Sequence, residues 1–169
     1  SGGGKRMIDD YARRDDIGAP RQYGLSQAHK HLPEIEAFSG ARAPVLFNPV
    51  VSDYHSGMLV SVPLHRRLFR RKARLRELYE LFADRYADCP LIRAVEPGRE
   101  SADGFLAADA LAGRDDLEIL FYGSDERIMI AARYDNLGKG ASGAAIQCMN
   151  LMLGLPEAYG LSIARPAFA

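Results

Sequence analysis

His29, Lys30, His31, Leu32, Pro33 and Glu34 set two imidazoles two residues apart, with a carboxylate three residues after the second. In an extended backbone, side chains at i and i+2 leave on the same side. A turn after His31 then carries Glu34 back toward its ring. A carboxylate beside an imidazole fixes the tautomer and favours the charged form, which is the minimum needed for general acid–base work. Two histidines and a glutamate also make a fragment of a metal site, but a weak one without a further ligand at recognisable spacing. The remaining reading is a surface pair of histidines ahead of a helix. Residue types alone leave these three readings open.

The second cluster is the segment from Tyr134 to Pro156, YDNLGKGASGAAIQCMNLMLGLP. A strand-like run ends at Asp135 and Asn136. A glycine-rich turn of Leu137, Gly138, Lys139 and Gly140 follows, and a helix of small residues is expected from about residue 141 to 153. Strand, glycine turn and helix start are a general plan for holding an anionic or polar ligand, since a helix N-terminus offers unpaired N–H groups and partial positive charge. Glycines let the backbone come close to a neighbour. The spacing is neither that of a Walker A loop nor that of a GxGxxG dinucleotide turn. A phosphate-binding enzyme built on this turn is one expectation, and it predicts nucleotide binding by the chain alone.

The third is basic. Residues 65–76, HRRLFRRKARLR, hold seven Lys/Arg in twelve positions. Such a run invites a phosphate or nucleic-acid reading. Almost no aromatics interleave it, and the rest of the chain offsets it, because Lys+Arg and Asp+Glu are 22 each and the formal net charge is zero. The bland reading is therefore preferred: the second half of the run belongs to the helix beginning near Lys72 as a solvated face, and no nucleic-acid partner is expected.

These clusters need a scaffold. By period, residues 72–87 form the clearest helix, with Leu75, Leu78, Tyr79, Phe82 and Tyr86 on one stripe. Residues 32–38 predict a short helix, with Pro33 in its first turn, Glu34 and Glu36 toward its N-terminal end, and Gly40 at its exit. Strands are expected at 22–25, 44–51, 58–64 and 91–95, and a short helix at 107–111. Residues 117–122 and 127–134 predict a hairpin around Gly123, Ser124, Asp125 and Glu126. Pro63 pushes its strand to a sheet edge. The fold class is α+β, with a mixed or antiparallel sheet and helices between strand pairs. The helix after residue 141 is apolar nearly all round, interrupted by Ser142, Gln147 and Asn150, so a second body of protein is expected against it.

A chain of 169 residues forms an ordinary core without staples. Cys89 and Cys148 are isolated, which argues against a disulfide framework and fits a reducing, cytoplasmic setting. No apolar run approaches the roughly 20 residues of a membrane span. The start SGGGK, without an initiator methionine, reads as a loop feeding a helix at 6–13, and hence as a fragment or a vector-derived tail.

Four segments in register, SGGGK at 1–5, HKHLPE at 29–34, FNPVV with GMLVSVPLH between Phe47 and His65, and DNLGKGASGAAIQCMNLMLGLP at 135–156, together resemble N-acetyl-gamma-glutamyl-phosphate reductases, and within them the shorter subtype. Aspartate-semialdehyde dehydrogenase shares the architecture and a DNLxKG-like segment, but HKHLPE and the MNLMLGLP tail favour the acetylglutamyl enzymes. The resemblance implies a fold like the glyceraldehyde-3-phosphate dehydrogenase C-terminal domain. Residues 1–135 would form an α+β substrate and dimerisation domain. Residues 136–169 would form a cofactor-proximal turn and a helix that packs on a Rossmann domain missing from this chain. The implied reaction reduces N-acetyl-L-glutamyl 5-phosphate to the 5-semialdehyde with NADPH in arginine biosynthesis. A cysteine thiolate displaces phosphate to give a thioester that hydride reduces.

Carried across by position, His31 is the catalytic histidine and Glu34 its nearby carboxylate. His29, Ser1 and Lys5 would meet the substrate. Asn136, Gly138, Lys139 and Gly140 would lie near the nicotinamide of NADP. No metal is implied, and a homo-oligomer is. The family's nucleophilic cysteine lies upstream, and neither Cys89 nor Cys148 takes its place. The expectation is a chain that is inactive alone and contributes to an acyl-phosphate reductase. The alternative from another class is a stand-alone dimerisation or interaction module with the same fold.

Overall fold

The computed structural model describes residues 4–163. Among them the chain divides into two compact units, one ending at His55 and the other beginning at Ser56.

The first unit opens with α1 (Gly4–Arg13), which buries none of its residues. A 3-10 turn at Asp15–Ile17 buries Ile17. Two short strands, β1 (Arg21–Gln22) and β2 (Val50–Val51), pair antiparallel with Arg21 opposite Val51. Between them lies α2 (Leu32–Ser39), with proline in its first turn and Gly40 closing it at φ 64°. That left-handed position is the one a glycine fills without strain.

The strand expected over 44–51 contracts to β2 because side chains intercept its backbone. The Phe47 N–H donates to Gln27 Oε1 at 3.0 Å, and Gln27 Nε2 donates to the Phe47 carbonyl at 2.7 Å. The Val45 N–H donates to Glu36 Oε1 at 3.2 Å. Pro44 and Pro49 have no N–H to offer. The strand expected at 22–25 likewise covers Arg21–Gln22, with one further bond from Tyr23 N–H to the Pro49 carbonyl at 3.0 Å.

The second unit is built on a four-stranded mixed sheet. Its strands are β3 (Met58–His65), β4 (Ile92–Val95), β5 (Leu117–Gly123) and β6 (Arg127–Tyr134), in the order β3-β6-β5-β4. β6 runs antiparallel to both β3 and β5, while β4 and β5 are parallel. β3 is an edge strand, which accommodates the missing N–H of Pro63. The hairpin and the α+β class follow the expectation.

α3 (Leu75–Arg85) covers one face. Leu78 packs with Ile119, Phe121 and Ile128, and Leu75, Tyr79, Phe82 and Tyr86 close around them. Phe121 is fully buried and meets Phe82 edge-on at 5.3 Å between ring centroids. Burying a side chain of that size contributes about 2–3 kcal/mol. On the other face, Val95, Leu120 and Ala131 pack with Leu59, Leu106 and Tyr122. One cross-strand row there reads Leu59, Arg133, Glu118, Arg93. Glu118, 3% exposed, is clamped by Arg133 at 2.7 Å and by Arg93. A carboxylate buried this deeply needs such paired donors.

Two expected elements differ. Residues 107–111 form successive turns closed by i to i+3 bonds, such as Ala112 N–H to the Asp109 carbonyl at 2.8 Å, and no helix. The long helix starts at Leu75, after Lys72. The Arg74 N–H is taken by Glu77 Oε2 at 2.7 Å and the Leu75 N–H by Asp125 Oδ1 at 3.0 Å, which caps the helix there. Of the second half of the basic run, expected on this helix as a solvated face, only Leu75 and Arg76 lie within α3, and residues 71–74 precede it.

Candidate active-site elements

In the first unit, His29 and His31 come together. Their ring centroids are 4.8 Å apart at 68°, and the His31 N–H donates to His29 Nδ1 at 3.2 Å. An Nδ1 that accepts is unprotonated, so His29 carries its proton on Nε2 while this bond holds. The His29 ring is also wedged between Phe47 at 5.0 Å and Tyr23 at 5.6 Å. Gly24 beside it sits at φ 64°, a left-handed position that glycine adopts without strain. His29 is thus half-buried and braced, whereas His31 is exposed on the residue before α2.

Glu34 lies in the first turn of α2 and is exposed. Among the described residues its carboxylate makes no hydrogen bond or ion pair with either histidine. The brace on His31 is His29. Lys5 is exposed in the first turn of α1. Ser1 lies outside the described residues. Among those described, no group of three or more His, Cys, Asp or Glu is placed to hold a metal.

In the second unit the organiser of the glycine turn is Asp135, at the end of β6 and 3% exposed. Its Oδ1 accepts the N–H groups of Leu137 at 2.7 Å and Gly138 at 3.1 Å. Its Oδ2 accepts the Gly113 N–H at 2.5 Å and the Ser56 hydroxyl at 3.0 Å. Burial opposes ionisation of this carboxyl, but the N–H groups of Gly113, Leu137 and Gly138 and the Ser56 hydroxyl outweigh it and hold its pKa below the ordinary value. The anion at this turn is therefore the chain's own. The Asn136 Oδ1 accepts the Gly57 N–H at 2.8 Å. Burial pushes the Tyr134 phenol up, and its hydroxyl donates to the Met58 sulfur at 3.0 Å.

The chain then makes one π turn, Gly138–Ser142, before α4 (Gly143–Met152). Bonds from Gly140 N–H to the Asp135 carbonyl at 2.9 Å and from Ser142 N–H to the Leu137 carbonyl at 3.0 Å span five residues each. The glycines serve a close approach within the chain. A Cβ on Gly138 would stand 2.5 Å from the Arg114 carbonyl, and one on Gly143 would stand 2.3 Å from Asp115 Oδ1. Lys139 Nζ donates to Gln147 Oε1 at 2.5 Å, and Gln147 Nε2 donates to Glu157 at the same distance.

The fully buried Asn150 donates to the carbonyls of Glu157 at 3.0 Å and Tyr159 at 2.9 Å. It ties the segment after α4 back onto the helix. Ser162 and Asp115 exchange two further bonds, 2.6 and 2.9 Å. The sequence reading missed Ser56, Gly113, Asp115 and Glu157, and used Asp135 only as a strand end. Gln147 and Asn150, the polar breaks three residues apart in an apolar helix, were the visible signal for this clasp. The apolar face itself stays open, with Met149 at 50%, Leu151 at 58%, Met152 at 87% and Leu153 at 66% exposure. Cys148 is exposed, Cys89 is half-buried, and both are free thiols.

The chain is similar to curated proteins along most of its length. It is 38% identical to N-acetyl-gamma-glutamyl-phosphate reductase 2 of Nostoc sp., covering 95% of this chain and 54% of that protein. It is 36% identical to N-acetyl-gamma-glutamyl-phosphate reductase of Trichormus variabilis, with the same two coverages. It is 35% identical to N-acetyl-gamma-glutamyl-phosphate reductase 2 of Pseudomonas putida, covering 95% and 52%. The chain thus spans about half the length of the curated relatives it matches. The family model described as semialdehyde dehydrogenase, dimerisation domain, matches residues 1–136, and its glyceraldehyde-3-phosphate dehydrogenase C-terminal-like α+β fold is the one built above. This chain belongs to the family of semialdehyde dehydrogenase dimerisation domains.

Proposed function

We propose that this chain is the substrate- and subunit-contact part of an NADPH-dependent acyl-phosphate reductase that converts N-acetyl-L-glutamyl 5-phosphate to N-acetyl-L-glutamate 5-semialdehyde in arginine biosynthesis, working in the cytoplasm as a homo-oligomer. The observation that carries this reading is similarity to reductases of that name over 95% of the chain, a span that takes in both the histidine cluster and the Asp135 turn.

In this role His31 moves the proton. Its ring is exposed, while His29 behind it is held by Tyr23 and Phe47 and lines the substrate side. Glu34 spends no hydrogen bond on a neighbour among the described residues, so it is open as an acceptor beside His31. Lys5 and Ser1 supply a cation and a hydroxyl for the substrate's anionic groups.

NADPH, when bound, supplies the hydride. The turn fits a wall beside a nicotinamide ring and not a cradle for a pyrophosphate. Gly138 gives its N–H to Asp135, the Asn136 carbonyl is engaged by Gly57, and Lys139 is held by Gln147. That leaves the exposed backbone at Gly140 as the open edge. The main hold on NADP belongs to a Rossmann domain outside this chain, and the open apolar face of α4 is the surface for it. An apolar stripe this exposed is normally covered by a partner body.

The test is to assay the complete protein with NADPH on the acetylglutamyl and the aspartyl acyl phosphates. The expected result is turnover of the acetylglutamyl compound, with kcat/KM at least about 100-fold above the aspartyl one. The reverse preference would assign it to aspartate-semialdehyde dehydrogenase. A second reading is a dimerisation module without activity, since the family model matching residues 1–136 is described by dimerisation. A protein that self-associates and turns over neither compound would establish that reading.

A further inference from the structure

The basic run that no catalytic role absorbs is folded into a groove. From the end of β3 the chain makes a 3-10 turn at Arg66–Leu68 and reaches α3 without helix in between. This loop is pinned at several points. Arg66 N–H donates to the Glu126 carbonyl at 3.3 Å, and its guanidinium pairs with the Glu126 carboxylate at 2.9 Å. Phe69 and Ala73 are sunk against the core under α3. The far end is fixed by the caps of Glu77 and Asp125.

The groove left beside it has a volume of about 520 Å³ and is lined by His65, Arg66, Arg67, Phe69, Arg70, Lys72 and Glu126. Four cationic side chains therefore face one carboxylate, and Arg66 already neutralises that carboxylate. Arg67, Arg70 and Lys72 form no ion pair among the described residues. His65 accepts the Arg67 N–H on Nδ1 at 3.3 Å, so its Nε2 is the donor end.

We propose that this groove binds a small ligand bearing two or more phosphoryl groups. Like charges held within a Debye length, about 8 Å in physiological salt, repel one another until an anion sits among them. Guanidinium forks match phosphoryl oxygens bidentately, and an ammonium adds a point charge. The volume is that of a small-molecule site. The groove's one aromatic, Phe69, is half-buried and packed into the core, so there is no platform on which nucleic-acid bases stack. The neutral charge of the whole chain makes the excess local. The proposal does not depend on the reductase reading.

The test is calorimetric titration of the complete chain with inorganic pyrophosphate at about 0.15 M ionic strength. Binding is expected, with a loss of about tenfold in Arg67→Gln and again in Arg70→Gln. Arg99→Gln, the same charge change on an exposed side chain outside the groove, should leave it unchanged. Unaltered far-UV circular dichroism confirms that each variant is folded, and Lys72→Gln stands in for any that is not. No binding by the wild type, or an equal loss in Arg99→Gln, overturns the site. Equal affinity for citrate overturns the phosphoryl class. Tighter binding of a single-stranded oligonucleotide that is lost with the same groove substitutions overturns the small-ligand assignment.

Discussion

Asp135 gathers four donors from three parts of the second unit, and that makes its ionisation a structural quantity. Because its folded pKa lies below the unfolded value, it contributes stability above roughly pH 4, and this is lost as pH falls through the folded value. Asp135→Asn presents an amide to donors that need an acceptor. It should cost about 2–3 kcal/mol in urea unfolding at pH 7 and flatten the acid limb of the stability profile. An unchanged acid limb would show that Asp135 is not the group that titrates.

Asn150→Ala should strand the Glu157 and Tyr159 carbonyls and speed proteolytic cleavage after Leu153 several-fold, with α4 intact by circular dichroism. Neither residue's role was legible beforehand. The Asp135 partners Ser56 and Gly113 lie 79 and 22 residues away, beyond any local pattern. His29 and His31 meet as a pair, but not through the extended backbone expected: His31 is in the αR region and the Leu32 N–H closes a turn on the His29 carbonyl at 3.0 Å. The expected Glu34 contact is not made among the described residues: the carboxylate stays exposed in the first turn of α2, and His29 takes the place beside His31.

At the scale of elements, an apolar run bounded by turn chemistry marked β6 over 127–134, which buries Ile128 on one face and Ala131 on the other, and a 3.6-residue repeat marked the α3 stripe, which buries one face. Boundaries failed where side chains supplied the backbone's partners. Gln27 replaced a strand at Phe47, and Asp125 moved the start of α3 to Leu75. The turns at 107–111 failed for a related reason: Leu111, 2% exposed, anchors the loop between two parallel strands, and a single buried anchor imitates a helix face.

The entrance to α4 offers a test. Gly→Ala inside a helix ordinarily stabilises by about 1 kcal/mol. Gly143→Ala should instead destabilise by about 2 kcal/mol or more, because its methyl would lie 2.3 Å from Asp115 Oδ1 and 2.9 Å from the Gly138 carbonyl. A rise in melting temperature would show that the 114–115 segment yields easily.

For the whole molecule, the family match and the open face of α4 describe a protein that works against other polypeptide. Met149→Lys with Met152→Lys should leave unfolding of this chain within about 0.5 kcal/mol, since both are at least half exposed. If the proposed function holds, the same pair in the complete protein should weaken the hold of a nucleotide-binding part on this one, read as a lower melting temperature and faster proteolysis between them. Equal stability of the complete protein would remove that face from the contact.

The central claim rests on the exposed imidazole ahead of α2. The direct measurement is kcat of the complete protein for reduction of N-acetylglutamyl phosphate, followed across pH, in wild type and His31→Asn. The account predicts a fall of about 100-fold or more in kcat, a changed pH profile, and an unchanged melting temperature. A His31→Asn enzyme with near-normal turnover and the same pH profile would contradict it.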